Sequence, residues 1–279
     1  MDDREKVNSA LPAYEKQLAR FHRAFERELE AIVAELPLDD GMRVLDLACG
    51  DGFYTRRIAE RLGKDGAVVA VDISCAYLAE ARKDVTRGPG QARVDLVAAS
   101  LDQLPFPDGV FDLVWCAQSL FSLPDPVVAV RHMARVVRPG GVVAVLENDT
   151  LHQVLLPWPV NLELSLRTAE LRCLSEYEGG SSKFYVGRRL PAIFAAAGLE
   201  PVRLTTHGFD RLAPLAEVEQ ALLQTYLDEL SERVAPYLDD PLLAELRRLV
   251  DPASPQHLLR QPHLSLTWLN VLAFGRSPG

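Results

Sequence analysis

The sequence has few cysteines, and they are not spaced as metal ligands or disulfide partners. The four, Cys49, Cys75, Cys116 and Cys173, form no C-x-x-C pair and have no paired histidines nearby. This spacing predicts neither zinc nor a disulfide framework, so we expect no metal. We interpret the cysteines as small buried residues. Because Cys49 and Cys116 fall at predicted strand ends, a substrate-binding thiol stays open as an alternative.

Long apolar runs and an excess of basic residues are also missing. No apolar run approaches the length of about 18 residues that a membrane helix needs, and the first residues do not resemble a signal peptide. There are 30 basic against 39 acidic side chains, a net charge of −9 with a pI near 5.2. Nucleic-acid backbones need clustered Lys and Arg. We therefore expect no membrane and no nucleic acid as partner, and a cytoplasmic location.

What the sequence does contain is an alternation of apolar strands and amphipathic helices. Its 279 residues can form one large core, or a core with a small cap. Leu18, Phe21, Phe25, Leu29 and Ile32 recur at three- and four-residue steps and predict one leading helix that ends at Pro37. Strands are predicted near 43–48, 67–72, 92–98, 110–116 and 141–147, with helices between them. This alternation predicts a doubly wound parallel sheet whose ligand site lies at the carboxyl ends of its strands.

The most informative segment is Val44-Leu45-Asp46-Leu47-Ala48-Cys49-Gly50-Asp51-Gly52. It combines an apolar strand with small residues at 48, 50 and 52, which let a ligand approach the backbone closely. The helix that follows has free amides at its start, and Asp72 ends the next strand 20 residues after Gly52. An acidic residue at that distance can bind a ribose diol.

The third small residue separates two cofactor classes. A dinucleotide fingerprint starting at Gly50 needs Gly or Ala at position 55, where this chain has Thr55. The pattern acidic-x-small-x-Gly-x-Gly, met by Asp46, Ala48, Gly50 and Gly52, instead resembles motif I of class I S-adenosylmethionine (SAM) dependent methyltransferases. The resemblance continues, in order, through Gly66–Ser74, Leu104–Val114, Leu123–Pro126 and Val137–Gly141.

The resemblance implies a Rossmann-like α/β fold with a seven-stranded, mostly parallel sheet, a mostly helical cap and SAM as cofactor. It implies that Asp46 orders the glycine turn, that Asp72 binds the ribose hydroxyls, and that Ile73 lies beside the adenine. Many relatives have Asp where this chain has Ser100. The cofactor residues expected on this basis are Tyr14, Asp46, Ala48, Cys49, Gly50, Gly52, Asp72, Ile73, Ser100, Leu101, Cys116, Ala117 and Gln118.

The resemblance to small-molecule methyltransferases also implies a domain plan. It divides the chain into an N-terminal helix over the cofactor site (1–36), a SAM-binding core (37–147), a cap insertion (148–183), a core helix and strand (184–207), a second cap insertion (208–263) and a final strand with its tail (264–279). Trp158 in the first insertion, and Phe184 and Tyr185 directly after it, are expected to line the substrate cavity.

The expected reaction is methyl transfer to an O, N or C atom of a small metabolite. A general base is needed only for a protonated acceptor, and the candidates are His152, His207 and Glu147, because each follows a predicted strand at the ligand end or opens a cap segment. Two alternatives stay open. One is a protein of this fold that uses or holds SAM without methyl transfer, and the other is a nicotinamide-dependent oxidoreductase. The sequence does not fix the oligomeric state.

Overall fold

The computed structural model describes residues 15–85, 90–177, 180 and 184–279, so Tyr14 lies outside the described residues. The helices in this part of the chain are α1 Glu15–Ala24, α2 Glu26–Ala34, α3 Phe53–Arg61, α4 Cys75–Asp84, α5 Pro126–Val136, α6 Val160–Ser175, α7 Val186–Ala196, α8 Glu217–Val234 and α9 Asp240–Val250. The strands are β1 Arg43–Leu47, β2 Ala67–Asp72, β3 Arg93–Ala98, β4 Phe111–Ala117, β5 Val137–Glu147, β6 Val154–Leu155, β7 Glu200–Leu212 and β8 Ser265–Arg276.

The strands form one mixed sheet. Strands β3, β2, β1, β4 and β5 lie side by side and parallel in that order. Strand β8 runs antiparallel to β5 and β6 along one edge and to β7 along the other. The strand order reverses between β1 and β4, and in a doubly wound sheet the ligand crevice opens at such a point. The predicted fold class is confirmed, with an eighth strand, β6, that is only two residues long.

Two apolar layers cover the sheet. On one face, the side chains of α1, α2, α3, α6, α8 and α9 share a single buried cluster with alternate residues of β1, β4, β5 and β8. On the other face, α5 and α7 pack against the remaining residues of these strands. The helices predicted as a cap (α6, α8 and α9) are therefore continuous with the core. Among the described residues, no helix has both the length and the apolar composition to cross a membrane.

The structure differs from the predicted elements at the ends of the chain. The single leading helix is broken at Phe25, whose backbone leaves the helical region at φ −123° and ψ 25°. Its ring is buried against Phe21, Phe209 and Trp268. The predicted apolar periodicity is real, but the chain turns at Phe25 so that both short helices can pack on the sheet. Strand β7 also continues to Leu212, beyond the predicted end near Thr206.

Candidate functional site

The glycine turn after β1 is held in an unusual backbone conformation. Ala48, Gly50 and Gly52 have φ values of 54°, 53° and 84°, in the left-handed region where a side chain is disfavoured. The Cys49 N–H donates to the Val71 carbonyl at 3.0 Å and so fixes the turn to β2. A Cβ at Gly52 would lie 3.0 Å from the Cβ of Ala81 on α4. Gly52 is therefore required by helix packing as well as by its φ value.

Asp72 ties the glycine turn to the end of β2. Its Oδ2 accepts the Gly50 N–H at 2.9 Å and its Oδ1 accepts the Ser74 N–H at 2.8 Å. Burial raises the pKa of Asp72 even though these backbone N–H groups favour the carboxylate. Each carboxylate oxygen has a second lone pair, so Asp72 can still accept two hydroxyl groups from a ligand.

Asp46 lies at the bottom of the same site. It is 1% exposed, and its Oδ2 accepts a 2.5 Å hydrogen bond from the Thr55 hydroxyl. Burial raises the pKa of Asp46 to about 7 against this hydrogen bond, and the nearby charge of Asp72 adds to the rise. An isolated carboxylate is costly to bury, and a cation beside it offsets that cost.

A third carboxylate joins the glycine turn to α1. Asp51 Oδ2 lies 3.2 Å from Nδ1 of His22, and the buried His22 ring stacks on Phe53 with the ring centroids 4.1 Å apart. Burial opposes ionisation of Asp51, but the hydrogen bond and charge of His22 outweigh it and lower the pKa of Asp51. Leu18 of α1 also lies 3.5 Å from where a Cβ of Gly50 would be. Helix α1 therefore packs directly on the turn.

The loop after β4 is fixed by Glu147. Its Oε1 accepts the backbone N–H groups of Ser119 at 2.8 Å and Leu120 at 2.6 Å. Burial raises the pKa of Glu147 to about 7 against these two hydrogen bonds. In this loop Gln118 has a φ of 50°, rare for a residue other than glycine, and its N–H donates to the Leu146 carbonyl at 2.7 Å. Such backbone strain persists where the surroundings enforce it, and it is concentrated at functional sites.

The remaining residues predicted to contact the cofactor lie around this edge. Ile73, after β2, is 58% exposed, which is unusual for an isoleucine and leaves an apolar surface for a ligand. Ser100 and Leu101 follow β3, and Ala117 ends β4. Burial raises the pKa values of both the Cys49 and the Cys116 thiols. Because the thiolate is the reactive form, this does not favour the alternative of a substrate-binding thiol.

The two candidate histidines lie in different surroundings. His152 is half exposed, and its Nδ1 lies 2.7 Å from Nη2 of Arg188. Arginine only donates hydrogen bonds, so Nδ1 accepts in this contact. That lone pair is occupied by Arg188, which does not favour His152 as a base. His207 lies on the outermost strand, β7, with its Nε2 3.2 Å from Oε1 of Glu35.

The three aromatic residues predicted to line the substrate cavity have separate environments. Trp158 is 6% exposed and belongs to the core cluster. Phe184 packs on Tyr177 with the ring centroids 5.5 Å apart, and Tyr185 lies under the Arg188 guanidinium. Trp158 therefore contributes to the core. A substrate-lining role for Phe184 and Tyr185 stays a prediction.

Three residues of this region were not predicted from the sequence. In the sequence, Thr55 argues only against a dinucleotide, yet its hydroxyl is the hydrogen-bond partner of Asp46. His22 carries the contact between α1 and Asp51. Asn270 on β8 is fully buried, and its Oδ1 accepts from Gln118 Nε2 at 3.3 Å. Of the three, only Thr55 could have been predicted from the sequence, because a hydroxyl at the start of a helix can reach the preceding strand.

These residues fit a cationic adenosine ligand. Asp46, Asp72 and Asp51 place three carboxylates around the glycine turn, and burial raises the pKa of Asp46 to about 7. SAM carries a sulfonium and an ammonium group, and either would favour the ionised form of such a carboxylate. Ile73 adds an apolar surface next to the acceptor oxygens of Asp72.

Comparison with known proteins finds similarity to methyltransferases over part of the chain. Residues 45–145 match the family model described as a methyltransferase domain. The chain is 40% identical over 126 residues to the ubiquinone/menaquinone biosynthesis C-methyltransferase UbiE of Xanthomonas campestris, covering 45% of this chain and 49% of that protein. It is 34% identical over 150 residues to the 27-O-demethylrifamycin SV methyltransferase of Amycolatopsis mediterranei, covering 54% and 53%. The chain thus spans about half the length of the curated relatives it matches.

Solved structures support the same fold over almost the whole chain. A candidate methyltransferase from Bacillus halodurans is 18% identical, with a TM-score of 0.57 and coverage of 90% of this chain and 99% of that one. The candidate methyltransferase in a complex from Haloferax volcanii is 16% identical, with a TM-score of 0.56 and coverage of 97% of this chain and 100% of that one. Residues 45–145 therefore match a methyltransferase domain, and the fold of the chain is the one that these solved structures share.

Proposed function

We propose that this protein is a SAM-dependent methyltransferase that transfers a methyl group to an O, N or C atom of a small molecule. The observation that carries the proposal is the group of buried carboxylates around the glycine turn of a methyltransferase domain. Asp46 and Asp72 are only 1% and 8% exposed, and they lie at the carboxyl ends of adjacent strands. A site of this kind binds a cation with a ribose better than it binds the negatively charged pyrophosphate of a dinucleotide.

The relatives support a small-molecule acceptor without identifying it. One is described as a C-methyltransferase of ubiquinone and menaquinone biosynthesis, and another as acting on 27-O-demethylrifamycin SV. The family match ends at residue 145, before α6, α8 and α9. We infer that these helices determine the acceptor. The predictions that nucleic acid is not a partner and that the protein is cytoplasmic stay predictions.

The residues of this chain would act mainly by positioning. Asp72 would accept the ribose hydroxyls, Asp46 would stabilise the positive charge of the ligand, and Ile73 would cover one face of the adenine. SAM supplies an activated methyl group on sulfur. Holding an acceptor in line with such a group can supply about 7 kcal/mol or more of the barrier reduction.

A general base is required only if the methyl acceptor binds in its protonated form. Glu147 is the stronger candidate on electrostatic grounds, because burial raises its pKa to about 7 and its buried Oε2 has no hydrogen-bond partner among the described residues. A group with a pKa near the working pH is suited to general base catalysis. His207 stays a candidate, although it lies on the outermost strand.

The decisive experiment measures both binding and turnover. Calorimetry should show binding of SAM and S-adenosylhomocysteine (SAH) but not of NAD. A metabolite panel is then incubated with the protein and SAM, and SAH is quantified by mass spectrometry. SAH accumulation with a product heavier by one methylene supports methyl transfer. SAM binding without SAH on any acceptor would favour the alternative, a protein that holds SAM, and binding of NAD alone would refute the proposal.

A further inference from the structure

Two hydrogen-bond donors on β8 are buried without an acceptor in the part of the chain that the structure describes. Asn270 is 0% exposed, and its Nδ2 has no hydrogen-bond partner among these residues. Trp268, two residues earlier on the same face of the strand, is 2% exposed, and its Nε1 has no partner among the described residues either. A buried polar group without a partner is destabilising, and in native proteins such a group calls for a specific explanation.

Asn270 is connected to the predicted methyl-transfer edge. Its Oδ1 accepts from Gln118 Nε2 at 3.3 Å, which leaves the Nδ2 of Asn270 as the free side of the amide. Gln118 is the residue with a φ of 50° at the end of β4. The loop that follows Gln118 is held by the two hydrogen bonds from backbone N–H groups to Glu147. The strained loop thus positions the side-chain amide of Gln118, and this amide orients that of Asn270.

One of the two donors, Trp268, is surrounded by aromatic rings. Trp268 contacts Phe21, Phe25 and Tyr226 with ring centroids 5.3, 5.6 and 6.0 Å apart. Phe21 and Phe25 belong to the N-terminal segment, which also packs on the glycine turn through His22. In this apolar surrounding a donor pair attracts an oxygen that carries lone pairs and no proton, and a negative charge strengthens the hydrogen bonds.

We propose that Asn270 Nδ2 and Trp268 Nε1 form an oxygen-binding site for the methyl acceptor, specific for a carbonyl or phenolate oxygen. The site deepens the proposed function, because it names the group by which the acceptor is oriented. Gln118 is a positioning residue that fixes the Asn270 amide. The donors hold the carbonyl or phenolate oxygen and take no part in a proton transfer.

The test uses a pair of probes that differ in one oxygen. The full-length protein with SAH is titrated at alkaline pH with 4-nitrophenolate, whose absorbance changes on hydrogen bonding, and with nitrobenzene, which lacks the oxygen. We expect the wild type to prefer 4-nitrophenolate. Asn270→Leu and Trp268→Phe should each weaken its binding by roughly 10- to 100-fold, with a smaller absorbance shift and unchanged nitrobenzene binding. Asn161→Leu, at an exposed position on α6, serves as the matched control.

Trp268→Phe keeps an aromatic ring, so it guards against a folding defect in Asn270→Leu. Equal or absent binding of the two probes by the wild type would overturn the oxygen site, as would unchanged preference in both variants. If SAH binds but the probes are not discriminated, only the oxygen site fails. If SAH does not bind while 4-nitrophenolate is still preferred through Asn270, the oxygen site stands and the proposed function fails.

Discussion

The pH dependence of SAM binding tests the electrostatics of the site directly. Burial raises the pKa of Asp46 to about 7, so near neutral pH a large fraction of the unliganded protein holds this carboxyl protonated. A cationic ligand binds the ionised form. As pH falls below 7, the apparent Kd for SAM should therefore rise about tenfold per pH unit, because ionising the carboxyl costs about 1.36 kcal/mol per unit.

The same argument predicts a proton count. Below pH 7, binding should release close to one proton as Asp46 ionises, and at clearly alkaline pH this release should vanish. Calorimetry in buffers of different ionisation enthalpy measures the number of protons directly. Asp46→Asn is the matched control, because any titration of SAM itself remains in that variant. A wild type with the same pH profile and proton count as Asp46→Asn would refute the reasoning.

Thr55 gives a second variant with a defined direction. Its hydroxyl donates to Asp46 and favours the ionised carboxylate. A hydrogen bond to a charged group contributes about 1.5–3 kcal/mol, so Thr55→Val should move the midpoint of the binding profile upward by about one to two pH units. An unchanged midpoint in a folded variant would show that the hydroxyl does not control the ionisation of Asp46.

The stability of the unliganded protein should depend on pH in the opposite direction to SAM affinity, because it should fall as pH rises. The folded pKa of Asp46 lies above its unfolded value near 4, so between these values the folded state binds more protons. Its contribution to the free energy of unfolding should fall by about 1.4 kcal/mol per unit as pH rises from 4 to 7. In urea unfolding, the slope against pH should be shallower in Asp46→Asn than in the wild type by about this amount. Glu147→Gln should also flatten it, yet leave the pH dependence of SAM binding in place.

Three further predictions concern single residues. Asp72→Ala should lower SAM affinity by roughly tenfold or more, because charge-assisted hydrogen bonds are lost. It should also lower the Tm, because the Gly50 and Ser74 N–H groups lose their acceptor. Calorimetry checks the affinity, and an unchanged affinity in the folded variant would contradict the prediction. Ala48→Gly should raise the free energy of unfolding by about 0.5–1 kcal/mol, since φ is 54° there, and chemical denaturation would detect no gain if the strain were absent. His152→Ala should leave turnover close to that of the wild type, because Nδ1 accepts from Arg188, and a hundredfold loss would restore His152 as a general base.

The parts of the fold that repeat locally could be predicted from the sequence. Strands β1, β2 and β4, the glycine turn and Asp72 were found because apolar runs and small residues leave a signal within a short window. The break at Phe25 leaves none. The periodicity from Leu18 to Ile32 continues through it, and the break follows from the packing of Phe25 against Trp268 in a distant strand.

The acceptor side of the site depends on register rather than on local pattern. Asn270 lies near the Glu147 end of β5 only because β8 runs antiparallel to β5, with Val271 opposite Glu147. A shift of one residue would turn Asn270 to the other face of the sheet and exchange it for an apolar neighbour. The register is fixed by the large buried side chains of β8. Trp268, Leu272 and Phe274 belong to the cluster on the face of the sheet that α1, α2, α3, α6, α8 and α9 cover. Core packing therefore places the Asn270 amide, which explains why motifs in the first half of the chain indicate the cofactor class while the donors proposed to orient the acceptor lie in the last strand, where no motif marks them.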